Sequence, residues 1–497
     1  MGHATPLVRC AIPKTKPNPM IRNNLTLLAL VASLPAAAFA GQAQTADSSS
    51  QSPYLLPARK NVLTRSILTV GDAVNYKADG VTPYRMVGIP DGLGAFDNGD
   101  GTFTALMNHE LRETVGIVRD HGFRGAFISR WIIEKESLTA LRGEDLIKTA
   151  YRWDVPTQSY KPLVAPLSRF CSGDLPAATA FYNPATGIGY NGRIYLCGEE
   201  SGAEGRAFAH FLDGNSYELP ALGKMSWENA VAHPATGNKT IVVNTDDSTP
   251  GQVYVYVGTK SSSADRVAAA GLSGGELFGV KVQGVAAETD ATAITSAPFS
   301  VVALGNVTNT TGAALDSTSR SQGVTDFNRP EDAAWDPTNP RDLYFVTTAS
   351  FAGKSRLWRL RFNDPANPAA GGTATIIIDG ANPNGPKMMD NMTINQRGTI
   401  FLQQDPGAQD YLAKIWRYSI PTGALEVVAQ HDAARFGPGA PSFLTRDEES
   451  SGIIPMDDIL GDGWYLLDVQ AHYPQDAELV EGGQLLGLHF ASGQEKK

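Results

Sequence analysis

Apolar positions in this chain come in short runs broken by Gly, Asn, Asp and Pro, with no sustained 3.6-residue period. Runs of this length between turn residues are strands. One arrangement of them returns through the second half. Glu228-Asn229-Ala230-Val231-Ala232-His233-Pro234 leads across a turn to Thr240-Ile241-Val242-Val243-Asn244. Glu331-Asp332-Ala333-Ala334-Trp335-Asp336-Pro337 leads likewise to Asp342-Leu343-Tyr344-Phe345-Val346-Thr347, again with six residues from acid to proline. Looser copies run from Asp390 through Gly398 to Ile400-Phe401-Leu402-Gln403, and from Glu449 to Trp464-Tyr465-Leu466-Leu467-Asp468. A third strand follows the second, as in Gln252-Val253-Tyr254-Val255-Tyr256, Arg356-Leu357-Trp358-Arg359-Leu360 and Lys414-Ile415-Trp416-Arg417-Tyr418.

Four-stranded units repeating at roughly 40–50 residues are the signature of propeller blades. Two earlier units fit: Pro90-Asp91-Gly92-Leu93 before Thr102–Met107, and Asn191-Gly192-Arg193 before Ile194-Tyr195-Leu196-Cys197. Second strands therefore centre near 105, 195, 242, 345, 401 and 466, which predicts an all-β, six-bladed β-propeller. The wide gap before the fourth is filled by a stretch rich in Ala, Ser, Thr and Gly, about 261–325, read as the rest of one blade plus a surface insertion. A small helical patch is expected around Leu138 to Ile147. One propeller domain over 61–497 accounts for the chain, although its length alone also permits two domains.

The start reads as a removable address. Arg22 precedes an apolar run from Leu25 to Ala40 that ends Ala38-Phe39-Ala40, a small-x-small cleavage signal, so 1–40 is expected to be a signal peptide, with Met20 an alternative start. No Arg-Arg pair is present there, which favours the ordinary secretory route and a periplasmic or secreted protein without a membrane span. Residues 41–60 read as a polar linker. Cleavage would remove basic residues and no acids, leaving the protein more acidic than the −10 of the whole chain. That argues against nucleic acid and anionic membranes as partners, and sits with an anionic substrate only where bound cations reverse the local field. The two cysteines left after cleavage, Cys171 and Cys197, pair as a disulfide or serve separately.

Inner strands of a propeller line a central channel, and the residues at their heads meet at one mouth. Asp91, Glu228, Glu331, Asp390 and Glu449 hold that place, and Cys171 to Asp174 precedes its equivalent in another blade. Carboxylates gathered within about 10 Å raise one another's pKa unless a counter-charge is present. Hard cations are the usual answer, and a thiolate in the ring favours a softer transition metal. Second-strand ends add Asn108-His109-Glu110, Glu199-Glu200, Asn244-Thr245-Asp246 and Gln403-Gln404-Asp405 as further ligands or their supports. Capping and ion pairing explain any one of these acids alone; the shared register is what points to metal. Asp97 to Gly101 reads as a hairpin turn rather than a calcium loop, since no Glu stands at the twelfth position.

Met107-Asn108-His109-Glu110, Cys171-Ser172-Gly173, Cys197-Gly198-Glu199-Glu200, Gly223-Lys224-Met225-Ser226-Trp227-Glu228, Arg329-Pro330-Glu331, and Asp390 with Arg397–Asp405 stand in the order seen in PhoX-type alkaline phosphatases, which the chain resembles. The resemblance implies a six-bladed propeller with an iron and calcium cluster (Fe3+ and Ca2+), hydrolysing phosphate monoesters outside the cytoplasm; a monomer is expected. It implies Cys171 as an iron ligand, Glu228 and Glu331 as residues bridging or holding metals, and Glu199, Glu200, Glu110 and Asp390 as calcium-side candidates. Arg329 would face the substrate phosphate. The chain departs from the pattern at Trp227, where the family usually has His, and at Phe170, where it tends to have Asn, removing a polar neighbour of the phosphate. An insertion around Ala177 to Tyr190 and the absence of a twin-arginine leader are further departures. Two rivals remain open: a single-calcium propeller hydrolase of lactonase or phosphotriesterase type, and a non-catalytic calcium-stabilised binding propeller.

Overall fold

The computed structural model describes residues 41–491 together with Met1. The apolar run and cleavage site of the expected leader, and Cys10, lie outside the described residues. The described chain forms six β-blades around a channel, each counted from its inner strand outward. Blade 1 is Pro90–Asp97, Thr102–His109, Phe127–Glu134 and Ala140–Asp145; blade 2 is Phe170–Asp174, Ile194–Glu199, Ala207–Phe211 and Asn215–Glu218. Blade 3 is Trp227–Ala232, Lys239–Asp246, Val253–Thr259 and Glu276–Val282; blade 4 is Pro330–Trp335, Asp342–Thr347, Arg356–Phe362 and Gly372–Ile378. Blade 5 is Met389–Ile394, Thr399–Gln404, Lys414–Ser419 and Leu425–His431. Blade 6 takes Glu448–Pro455, Trp464–Pro474 and Glu481–Phe490 from the end of the chain and its outer strand, Val62–Thr69, from the beginning, so the two ends close the ring by pairing Val62 with Phe490.

All six expected second strands are present. Three features differ from expectation. Leu138 to Ile147 is not helical: Ala140–Asp145 is the outer strand of blade 1, with Leu141 and Arg142 exposed and Gly143 buried. Gly143 is needed there because a Cβ would lie 2.4 Å from the Trp131 ring. The polar stretch expected as a linker carries Gln42–Thr45, laid parallel on Val62–Thr69, and Leu55–Pro57, which extends blade 5. The stretch rich in small residues does finish blade 3, but its remainder is ordered: Ala297–Gly305 pairs with the outer strands of blades 3 and 4 and joins them into one sheet, and Gly312–Ser321 is a helix capped by Thr311.

Each neighbouring pair of blades shares an apolar cluster. Between blades 3 and 4, Val231, Val243 and Val255 pack with Trp335, Phe345 and Trp358. Burying one such large side chain is worth about 1.5–3 kcal/mol. Tight packing between blades fixes the inner strands, and these position the site.

Candidate metal centre

In every blade the second residue of the inner strand is a potential ligand: Asp91, Cys171, Glu228, Glu331, Asp390 and Glu449. In every blade the pairing with the second strand shifts close after that residue, between Pro90 and Leu93 in blade 1, for example, and between Pro330 and Ala333 in blade 4. Such bulges re-aim side chains and are common beside active sites. In four blades the residue two before the ligand has a left-handed backbone: Ile89 at φ 50°, Arg169 at 43°, Arg329 at 60° and Met388 at 43°. For a residue with a Cβ this costs about 1–2 kcal/mol, and strain of this kind persists where the surrounding structure over-determines it.

The ligand atoms fall into two groups, Asp91 with Glu110 and Cys171, and Glu228 with Glu331 and Asp390, the atoms of each group lying within 4.8 Å of one another. Burial and neighbouring acids push the carboxyls of Asp91, Glu228, Glu331 and Asp390 well above the usual carboxylate range. Burial likewise pushes up the Cys171 thiol, helped by Asp91 and Glu228. The same causes act on Glu200 and on Glu449, on which Asp405 is the strongest acidic influence. So many buried acids cannot ionise together without counter-charge. Asp91 Oδ1 is buried with no hydrogen-bond partner. The donor set fits metal: a thiol beside two carboxylates suits a transition metal, and three carboxylates suit a hard cation.

Two arginines provide the positive charge. Arg329 donates from Nε and Nη2 to Asp247 at 2.9 and 2.8 Å, and its Nη2 lies 2.9 Å from Glu331. Arg169 donates to Glu110 at 2.7 Å from Nε and also grips Glu200. Arg169 and Asp247 escaped the sequence reading, although Arg169 stands two residues before Cys171 as Arg329 stands two before Glu331. Ser172, named from sequence only as part of a motif, donates its hydroxyl to Glu228 Oε1 at 2.5 Å and accepts from Asn391 Nδ2 at 2.8 Å, tying blades 2, 3 and 5 together.

Of the residues named from sequence, Glu110, Cys171, Glu228, Glu331 and Asp390 fall in the two groups, and Glu200 reaches them through Arg169. Glu199 does not. Its carboxylate is closed by Arg206 on the same blade, at 2.6 and 2.7 Å, and by the Ser168 amide. Cys171 and Cys197 are both free thiols, so the disulfide alternative is excluded. Cys197 Sγ lies 3.1 Å from His210 Nε2, whereas Cys171 donates to Asp91 Oδ2 at 3.3 Å. Asp97 to Gly101 is a hairpin turn closed by Asp97 on the Gly99 amide and Asp100 on Thr102.

The departures at Phe170 and Trp227 take a different meaning. Successive side chains on a strand point to opposite sides, so each residue preceding a ligand turns into the core. Phe170 lies among Phe208 and His210, and Trp227 packs against Gly198, where a Cβ would come within 2.4 Å. Phe170 is therefore a core residue and not a neighbour of a bound phosphate.

A six-bladed propeller with potential metal ligands gathered on its inner strands is the class of protein that fold and site define. The family described as alkaline phosphatase PhoX matches residues 213–452. Pseudomonas fluorescens PhoX in complex with vanadate, a transition state analogue, shares the fold at a TM-score of 0.65 and 10% identity, over 91% of this chain and 98% of that one. A putative 6-phosphogluconolactonase from Bacteroides uniformis matches with a TM-score of 0.35 at 13% identity, over 83% of this chain and 94% of that one. No curated protein matches the chain. The resemblance carried by the motifs is borne out by the family match.

Proposed function

We propose that the protein is a metal-dependent phosphatase that cleaves phosphate monoesters at the mouth of its propeller channel. The observation that carries this reading is the shared register: six inner strands each deliver one potential ligand, and an arginine stands beside one of them. Glu228, Glu331 and Asp390 would hold calcium, and Asp91, Glu110 and Cys171 would hold iron, in keeping with oxygen-only and thiol-containing donor sets. Bound cations supply Lewis-acid polarisation of the phosphoryl oxygens. The chain's own residues do the rest. Arg329, a quarter exposed at its side chain and anchored by Asp247 through Nε and Nη2, would donate from its remaining Nη1 to the phosphoryl oxygens. Arg169 balances Glu110 and Glu200 on the opposite group. Ser172 and Asn391 hold Glu228 in place from below.

We assign the protein to the periplasm or the exterior, as a monomer. A chromogenic phosphate monoester, a lactone and a phosphotriester assayed side by side test the function. Turnover of the monoester is expected, and cleavage of the lactone alone would overturn the proposal.

A further inference from the structure

Asp468 takes no part in either group of ligands, yet it is fully buried and neither of its carboxylate oxygens has a hydrogen-bond partner. Its surroundings follow from strand alternation. On Trp464–Pro474, Leu467 and Val469 pack into the cluster shared with blade 5, while Leu466 packs with Leu93 and Met107 of blade 1. Gln470, on the same face as Leu466, donates to Asp91 Oδ2 at 3.1 Å and to Glu110 at 3.2 Å. Asp468 stands between these two, turned toward blade 1 one step below the mouth. It also sits opposite the bulge of its own blade, because Val469 pairs with Ser450 and Leu467 with Ile453, leaving Ser451 and Gly452 over. Gly452 presses on blade 1 there: a Cβ on it would come within 2.6 Å of the Asp91 carbonyl oxygen.

The unsatisfied atoms on this wall are all acceptors: both oxygens of Asp468, Asp91 Oδ1 and Gln470 Oε1. The Tyr195 hydroxyl nearby is already spent on the Gly92 carbonyl, at 2.8 Å. An unpaired buried carboxylate is among the most costly arrangements a fold can hold. One proton shared between two carboxylates would satisfy two of the four oxygens. A hard cation, which takes 6–8 oxygen ligands, satisfies all of them.

We propose that Asp468, Asp91 and Gln470 hold an additional hard divalent cation between blades 6 and 1, beneath the mouth. Asp91 would link it to the upper group, giving its unpartnered Oδ1 to the cation while Oδ2 stays with Cys171 and Gln470. The inference rests on the reading of the mouth as a cation site.

The test is calcium binding to the metal-free full-length chain, by equilibrium dialysis and by the rise in Tm on adding calcium, for the wild type and Asp468→Asn. Asparagine has the shape of a protonated aspartate and supplies the donor a shared proton would supply. Loss of one calcium per chain, with a smaller calcium-dependent rise in Tm, is the expected result. Equal stoichiometry and an equal rise would overturn the inference while leaving the mouth intact. A wild type that binds no calcium would overturn both. Should Asp468→Asn not fold, Asp468→Glu keeps the charge and shifts the oxygens; about tenfold weaker binding of one calcium is then expected, and unchanged binding of every calcium overturns the proposal.

Discussion

Replacing Arg329 by Ala removes three contacts to two carboxylates and leaves the backbone as it was. The guanidinium holds Asp247 through two bonds at 2.9 and 2.8 Å and approaches Glu331 at 2.9 Å. Alanine inherits the φ of 60° and pays the same Cβ penalty as arginine, so backbone strain cancels in the comparison. Loss of one charge-stabilising donor costs about 2.7–4 kcal/mol in the transition state, which is on the order of 100–1000-fold in kcat. The ground state loses less: with metal on Glu331 its charge stays compensated, and what remains is the pair with Asp247, a nearly buried carboxylate whose loss of its partner costs about 1–3 kcal/mol. Steady-state hydrolysis of a chromogenic phosphate monoester, with Tm and metal content measured on the same samples, separates these effects. The expected result is a large fall in kcat with nearly unchanged metal content and only a small fall in Tm. Arg329→Lys should recover only part of the loss, since an ammonium cannot reproduce the fork. Turnover within a few-fold of wild type, or loss of metal along with the activity, would refute the role of Arg329.

Cys171→Ser should lose the transition metal and most activity, whereas Cys197→Ser should keep both, since Cys197 lies in the core beside His210; element analysis and a monoester assay of the two variants check this. In the chelated protein the carboxyls of Asp91, Glu228, Glu331 and Asp390 are raised, so their contribution to stability is present below the unfolded carboxylate range and is lost as pH rises through the folded values. Tm of the chelated protein should therefore fall from mildly acidic to alkaline pH more steeply than that of the loaded protein, and parallel profiles would count against a cation counter-charge. Glu288 bonds Arg356, Trp358, Thr347 and the Asn328 amide, clamping the insertion against the residue that precedes Arg329. Glu288→Ala leaves a buried guanidinium without its acid and should cost about 3–5 kcal/mol, read by denaturant unfolding; a change below 1 kcal/mol would show that the pair does not secure this segment.

The propeller was legible because each blade repeats one register, and the acid at the head of five blades is the visible mark of that register. The helical patch at Leu138 to Ile147 failed because an outer strand with one buried face and a glycine under Trp131 carries few apolar residues in strict alternation. Five of the seven metal ligands named from sequence converge in the two groups. Glu199 was misplaced because the paired acids share no common direction: Glu199 ends a strand and turns to Arg206, while the next residue faces Arg169. Arg169 and Asp247 were hidden because what identifies them is contact across blades, between residues 59 and 82 positions apart from their partners Glu110 and Arg329. Phe170 and Trp227 looked like losses from the site until alternation turned both into the core.

Element analysis of the purified protein tests the central claim most directly. The account predicts calcium together with iron in stoichiometric amounts, removed by chelation along with phosphate monoester hydrolysis. Protein that carries no metal and still hydrolyses the monoester at its full rate would contradict it.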